Sequence, residues 1–256
     1  MAAPAPNRLK LGRARPMQWV MLVWLASYPR SGNTLLRTIF RNAFGIKTYS
    51  IYDENEAKVF DAQNGVTDMV GHANLGTSPE AFLEQARRAP EPVLVKTHDP
   101  PAGTDCAIYV VRDGRAACVS YWHFMNELVE RPTTFDEVIE GQIFPGSWTQ
   151  HLAAWSPRSR PQTLLLRYED LTGDVETAIG AIERFLGIPQ KRSFELTFAE
   201  MHKAFPTFFR AGNNASNIRE MDARVQGLFE RVHGATMIEY GYDEDAGLIV
   251  PAQAAR

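Results

Sequence analysis

The sequence predicts an α/β protein: a single domain built on a central parallel sheet flanked by helices. Three observations predict it. Four short runs, Trp19–Ala26, Pro92–Val95, Cys106–Val111 and Thr163–Leu166, are continuously apolar rather than alternating, as strands covered on both faces require. Segments with helical spacing lie between and after them, the alternation that builds a parallel sheet. No internal repeat and no interior linker rich in Pro, Gly or Ser divides the chain. Its 256 residues therefore read as one large domain rather than two small ones.

The N-terminus offers two readings. Arg8, Lys10, Arg13 and Arg15 precede the apolar run Trp19–Ala26, which mimics the basic and apolar regions of a signal peptide. Cleavage near Ser27 would sever that run from the glycine turn that follows, so it is assigned as the first strand. The run is too short to span a membrane. Residues 1–16 are expected to be a disordered tail, with Met17 as a second candidate start. The domain is expected over 17–245 and a C-terminal tail over 246–256.

The helices follow from their end signals. One is expected over Asn33 to Phe44, with Gly45 as its C-terminal cap. Ser78-Pro79-Glu80 opens another that runs to about Arg88. A third covers Asp113 to about Glu127, and Thr134-Phe135-Asp136-Glu137 has capping-box spacing. Val175 to Leu186 places Ile179, Ile182, Phe185 and Leu186 on one face and stops at Gly187 and Pro189. The last helix spans Asp222 to Glu239.

Composition narrows the function classes. Apolar residues make up 45% of the chain and charged residues 22%, which excludes a disordered or collagen-like protein. The formal net charge is −3, so no global field attracts nucleic acid, and any anion must meet a local basic site. Two cysteines, Cys106 and Cys118, are too few for a disulfide framework or a cysteine zinc site, and a reducing compartment, the cytoplasm, fits them.

The strongest local signal is Ser27-Tyr28-Pro29-Arg30-Ser31-Gly32-Asn33-Thr34, between an apolar strand and an amphipathic helix. Such a turn aims backbone N–H groups and the positive end of the helix dipole at one point. Gly32 permits the tight backbone, Ser31 and Thr34 add hydroxyls, and Arg30 adds a fixed charge. The combination suits a phosphate or sulfate group, although an ordinary N-cap at Ser31 or Asn33 explains the same residues. The G-x-x-x-x-G-K-[ST] pattern of a metal-dependent nucleotide hydrolase is missing.

Two further strand ends carry chemistry. Lys96-Thr97-His98-Asp99-Pro100 closes the second apolar run, and strand C-termini line the ligand crevice of a parallel sheet. Lys96 and His98 sit on alternate positions and are expected to share a side with Arg30, His98 being suited to take a proton near neutral pH. The bland alternative is a loop histidine beside a solvated lysine. Arg112 ends the third run, with Ser120 about two helical turns on. Its planar fork can grip a second phosphate, or it can pair with Asp113.

Together these segments resemble the sulfotransferases that use 3′-phosphoadenosine 5′-phosphosulfate (PAPS). Ser-Tyr-Pro-Arg-Ser-Gly-Asn-Thr, Lys-Thr-His-Asp-Pro, Tyr-Val-Val-Arg-Asp-Gly-Arg-Ala-Ala-Cys-Val-Ser-Tyr and Arg-Tyr-Glu-Asp-Leu occur in that family's order and approximate spacing. Gly146-Ser147-Trp148 with His151 and Trp155 resembles its mid-chain helix, and Phe208-Phe209-Arg210-Ala211-Gly212 its C-terminal basic segment. The resemblance implies a P-loop-like phosphosulfate turn at Arg30, Ser31, Gly32, Asn33 and Thr34. It implies that Arg112, Ser120, Arg210 and Gly212 hold the 3′-phosphate, and that Tyr168 and Phe198 contact the adenosine. His98 becomes the general base, with Lys96 beside the transferred group. The chain departs from the family's pattern in three places: Arg30 stands for a lysine, Leu35 for an adenine-stacking tryptophan, and Ala211 for a second basic residue.

The implied reaction moves a sulfuryl group to a hydroxyl of a small molecule or glycan through an in-line, loose transition state, with PAPS as co-substrate and no metal. A small-molecule kinase and a catalytically silent nucleotide-binding protein are the rival readings. Oligomeric state is not legible. Tyr49–Glu56, Tyr121–Met125 and Phe144–Trp148 are the segments expected to line the acceptor pocket. Asp53, Glu54 and Glu56 read as solvated loop acids, and His72, His123, His202 and His233 as structural or exposed.

Overall fold

In a computed structural model, the described residues are 22–52, 66–204 and 218–242. Five parallel strands form one sheet in the order β2-β3-β1-β4-β5: β1 Leu22–Ser27, β2 Thr48–Ser50, β3 Val93–Thr97, β4 Cys106–Val111 and β5 Thr163–Arg167. All six residues of β1 are buried, as its apolar run requires. Val23 and Leu25 pack under Leu36, Ile39, Phe40, Ile108 and Val110 on one face. Trp24 and Ala26 meet Tyr109, Val111, Trp148 and Trp155 on the other. Residues 19–21 of the expected first strand lie outside the described residues.

The strands differ from expectation at their ends. β3 runs to Thr97 because Lys96 and Thr97 pair with Leu25 and Ala26. β5 runs to Arg167, opposite Val111. As an edge strand β5 buries only Leu166, so its apolar run does not mark burial on both faces. Strand β2 was not anticipated; three residues, Thr48-Tyr49-Ser50, are too few to show a pattern.

The helical end signals hold. Helix α1 (Asn33–Ile39) continues through a π-helical turn, Phe40–Phe44, and stops at Gly45, whose φ is 67°. After α2 (Val66–Val70), α3 (Pro79–Ala86) starts where the Ala81 N–H donates to Ser78 Oγ. Helix α4 (Gly114–His123) opens at Asp113 and ends in a second π-helical turn, Phe124–Leu128. Both arms of the Thr134–Glu137 capping box form at α5 (Phe135–Glu140). Helices α6 (Trp148–Trp155), α7 (Tyr168–Gly173), α8 (Val175–Leu186), α9 (Phe198–Ala204) and α10 (Ala223–Glu239) complete the described elements. Helices α2, α7 and α9 were not expected; at five to seven residues they carry too little periodicity to be read.

Candidate active site

The site forms where strand order reverses. β1 has β3 on one side and β4 on the other, and in open parallel sheets such a switch point lies beneath the ligand crevice. The register sets Ala26 beside Thr97 and Ser27 beside Val110, so three strand tips end on one rim.

The turn after β1 is tight. The Ser31 N–H donates to the Tyr28 carbonyl at 3.2 Å, Arg30 takes a left-handed φ of 62°, and Gly32 takes 106°. A non-glycine residue in that region is strained by about 1–3 kcal/mol, a feature concentrated at functional sites. A Cβ on Gly32 would lie 2.6 Å from Tyr168 Cδ2, so both backbone and space call for glycine there. The first intrahelical bond runs from the Leu36 N–H to the Gly32 carbonyl at 3.0 Å. The N–H groups of Asn33, Thr34 and Leu35 therefore precede the ladder. No acid sits in that first turn and no side chain caps it. Among the described residues, Ser31 Oγ is buried without a hydrogen-bond partner. Together these are the fittings of an anion cradle.

Not every candidate in the turn faces outward. Asn33 Nδ2 donates to the Leu25 carbonyl at 2.8 Å and contacts Ser27 Oγ at 3.4 Å, which ties α1 to β1 and leaves the backbone N–H for a ligand. Thr34 is half-buried in the same turn. Leu35, where the family often carries a stacking tryptophan, is buried in the core beneath α1.

Cations gather around the cradle. Arg30 Nε donates to Ser120 Oγ at 3.2 Å, and its guanidinium lies 5.3 Å from the centre of the Phe124 ring. Arg112 Nη1 donates to the Arg30 carbonyl at 3.0 Å and stacks 4.3 Å over Tyr168. Asp113, the alternative partner for Arg112, is held by Arg115 at 2.7 Å instead. Lys96 enters from β3. Burial, then the charges of Arg37 and Arg30, hold its ammonium well below the ordinary lysine value.

His98 is fixed from several directions. Its Nδ1 lies 2.7 Å from the Ser27 carbonyl, so Nδ1 carries the proton and Nε2 is left as the basic nitrogen. Burial, followed by the Lys96 charge, pushes its pKa well below the ordinary imidazole value, while the Ser27 bond opposes that shift. Neutral at physiological pH, the ring can accept a proton. His151 Nε2 donates to the His98 carbonyl at 2.9 Å, and Trp155 Nε1 donates to the Asp99 carbonyl at 2.9 Å. The His98 N–H donates to Tyr52 Oη at 2.9 Å.

Arg30, Ser31, Gly32, Asn33, Thr34, Lys96, His98, Arg112, Ser120 and Tyr168 thus converge. Arg210, Gly212 and the side chain of Phe198 lie outside the described residues, as do Asp53, Glu54 and Glu56. Tyr52 and Phe124 fall in segments expected to line the acceptor pocket but carried no individual role, and Arg37, which donates to Thr48 Oγ1 of β2 at 2.8 Å, was not anticipated. Trp148, expected near the acceptor, is fully buried, with its ring where a Cβ on Gly114 would stand. Among the described residues no three His, Cys, Asp or Glu side chains cluster as metal ligands, and no helix is long and apolar enough to cross a membrane.

This fold and site define a class. Residues 22–231 match the family described as the sulfotransferase domain, and the chain belongs to that family. It is similar to human sulfotransferase 1C2, 33% identical over 138 residues that make up 44% of this chain and 47% of that protein. It is also similar to human sulfotransferase 1E1, 29% identical over 80% of this chain and 69% of that protein. The match to 1C2 thus spans about half of that relative's length. Two solved structures share the fold. One is a mouse sulfotransferase complexed with PAP, with TM-score 0.60 and 20% identity over 86% of this chain and 88% of that one. The other is retinol dehydratase with androsterone and PAP, with TM-score 0.61 and 19% identity over 91% and 83%.

Proposed function

We propose that the protein transfers a sulfuryl group from PAPS to a hydroxyl of a small molecule or glycan, with His98 as the general base. The observation that carries this reading is His98 pinned through Nδ1 to the Ser27 carbonyl, at the mouth of the anion turn. Family membership supports PAPS as co-substrate. The unpartnered Ser31 hydroxyl and the glycine-only approach of Tyr168 to the turn fit such a nucleotide.

In this reading His98 Nε2 takes the acceptor's hydroxyl proton as its oxygen bonds to sulfur. The bond from sulfur to the phosphate oxygen breaks, and 3′,5′-ADP leaves. Arg30, Lys96 and the first turn of α1 neutralise charge on the departing oxygen, where preorganised dipoles act most strongly. Burial is the main cause that lowers the Lys96 pKa, and a bound anion counters the smaller contributions of Arg37 and Arg30. Arg112 and Ser120 hold the 3′-phosphate, joined by Arg210 and Gly212, while Tyr168 and Phe198 contact the adenosine. Phe144 meets Tyr52 edge-on at 6.1 Å, and Tyr121 stacks on Phe124 at 6.3 Å, which gives an acceptor ring apolar walls. The buried unpaired thiols of Cys106 and Cys118 fit a reducing cytoplasm.

Two measurements test the reading. Transfer of radiolabelled sulfate from PAPS to a panel of phenols, alcohols and sugars is expected to label at least one acceptor. In thermal shift, 3′,5′-ADP is expected to stabilise the protein more than ATP with magnesium. Stabilisation by ATP and magnesium alone would favour the kinase reading, and nucleotide binding without transfer would favour a silent protein.

A further inference from the structure

Among the described residues, Tyr52 touches both reactive side chains of the β3 tip. Its Oη accepts the His98 N–H at 2.9 Å, and its ring lies parallel to the imidazole, with centroids 6.1 Å apart and planes 14° apart. Lys96 Nζ stands 5.6 Å from the centre of the same ring. The tyrosine is itself firmly mounted. Its N–H donates to Ser50 Oγ at 3.2 Å, and the preceding Ile51 N–H donates to the Lys96 carbonyl at 3.4 Å, extending the β2–β3 ladder. The phenol also walls off a cavity of about 350 Å³ lined by Trp24, Leu83, Thr97, Asp99 and Trp155.

These contacts have a consequence for the base. His98 lies just past the end of β3, where its N–H has no ladder partner, and a buried peptide donor needs one. Tyr52 Oη supplies it and thereby fixes the turn from which the imidazole projects. The Ser27 carbonyl then fixes the ring about that turn. Burial holds the phenol well above its ordinary pKa, so Oη keeps its proton across the working range.

We propose that Tyr52 is a positioning residue for sulfuryl transfer: it holds the His98 backbone through Oη and screens the imidazole from cavity water with its ring. This deepens the proposed function and rests on His98 being the base. Misplacing a reacting group by about 1 Å can cost 10²-fold in rate, and the loss of one backbone hydrogen bond is expected to cost less.

The test compares Tyr52→Phe, Tyr52→Leu, His98→Ala and the double variant Tyr52→Phe/His98→Ala. The readouts are kcat with PAPS and an accepted hydroxyl substrate, and Kd for 3′,5′-ADP as a check on folding. Tyr52→Phe is expected to lower kcat about tenfold with an unchanged Kd, and to cost nothing further once His98 is absent. Tyr52→Leu, which lets water reach the ring, is expected to move the acid limb of kcat/KM upward toward the ordinary imidazole value. A Tyr52→Phe variant as fast as the parent, or one that loses the same factor in the His98→Ala background, overturns the positioning role. An unimpaired His98→Ala instead overturns the base assignment on which it rests, and the two failures are distinguishable.

Discussion

β3 and β4 flank the same central strand and deliver their tips to one rim of the sheet, yet the tips are secured in different ways. At β3 the main chain is clamped: Tyr52, His151 and Trp155 bond the N–H and carbonyl of His98 and the carbonyl of Asp99. The ring so held is neutral, since burial and Lys96 depress its pKa. At β4 the side chain does the reaching. Arg112 bonds the Arg30 carbonyl and places its guanidinium over the Tyr168 ring, and a guanidinium keeps its charge when buried. Two apolar strands on either side of β1 thus yield a neutral, proton-accepting ring and a permanent cation. Which one results is decided by the residue type at the tip, and what packs on it sets how that residue is held.

The sharpest way to break this comparison is to remove each tip's functional group in turn. His98→Ala is expected to lower kcat by about 10²–10⁴-fold, the usual contribution of general-base help, with Kd for 3′,5′-ADP unchanged. Steady-state kinetics beside calorimetry would show it, and a variant with full turnover would remove the β3 tip from the chemistry. Arg112→Ala is expected to do the reverse. Hydrogen bonds to charged groups contribute about 1.5–3 kcal/mol, so Kd for 3′,5′-ADP should weaken by roughly 10- to 100-fold. Saturating nucleotide should then restore most of kcat. Equal losses in kcat and affinity from both variants would erase the distinction between the tips.

The two tips were not equally legible in the sequence. Strand-ending Lys96, His98 and Arg112 were visible because a parallel sheet brings its C-terminal ends together whatever the side chains are. The anion turn was visible because Gly32 and the strand-to-helix boundary are local features. The clamps on His98 were hidden for a physical reason: each joins residues far apart in the chain. Tyr52 lies 46 positions from His98 and His151 lies 53, and both act on backbone atoms that every residue possesses. No residue type signals such a contact. The short strand β2, which mounts Tyr52, was equally silent. Edge strand β5 misled in the other direction, its apolar run suggesting two covered faces where only Leu166 is buried.

Acidity offers the gentlest probe of the difference, because the β3 tip rests on two buried imidazoles, His98 and His151. His151, which holds the His98 carbonyl, has its pKa pushed down to about 4 by burial, with its bond to the His98 carbonyl opposing the shift. An unfolded histidine titrates near 6.5. Between these values the unfolded chain takes up a proton that folded His151 refuses, so stability falls as pH is lowered. The slope is about 1.4 kcal/mol per pH unit for this one group, and the contribution is fully present above about pH 6.5. His151→Gln can still donate to the His98 carbonyl but does not titrate. Urea unfolding of parent and variant from pH 7.5 to pH 5 is expected to show the parent losing about 2 kcal/mol more than the variant across that window. Parallel curves would mean that His151 takes up its proton at the same pH in the folded and unfolded protein. The β3 clamp would then take up a charge below about pH 6.5, and the contrast with the permanently cationic β4 tip would narrow.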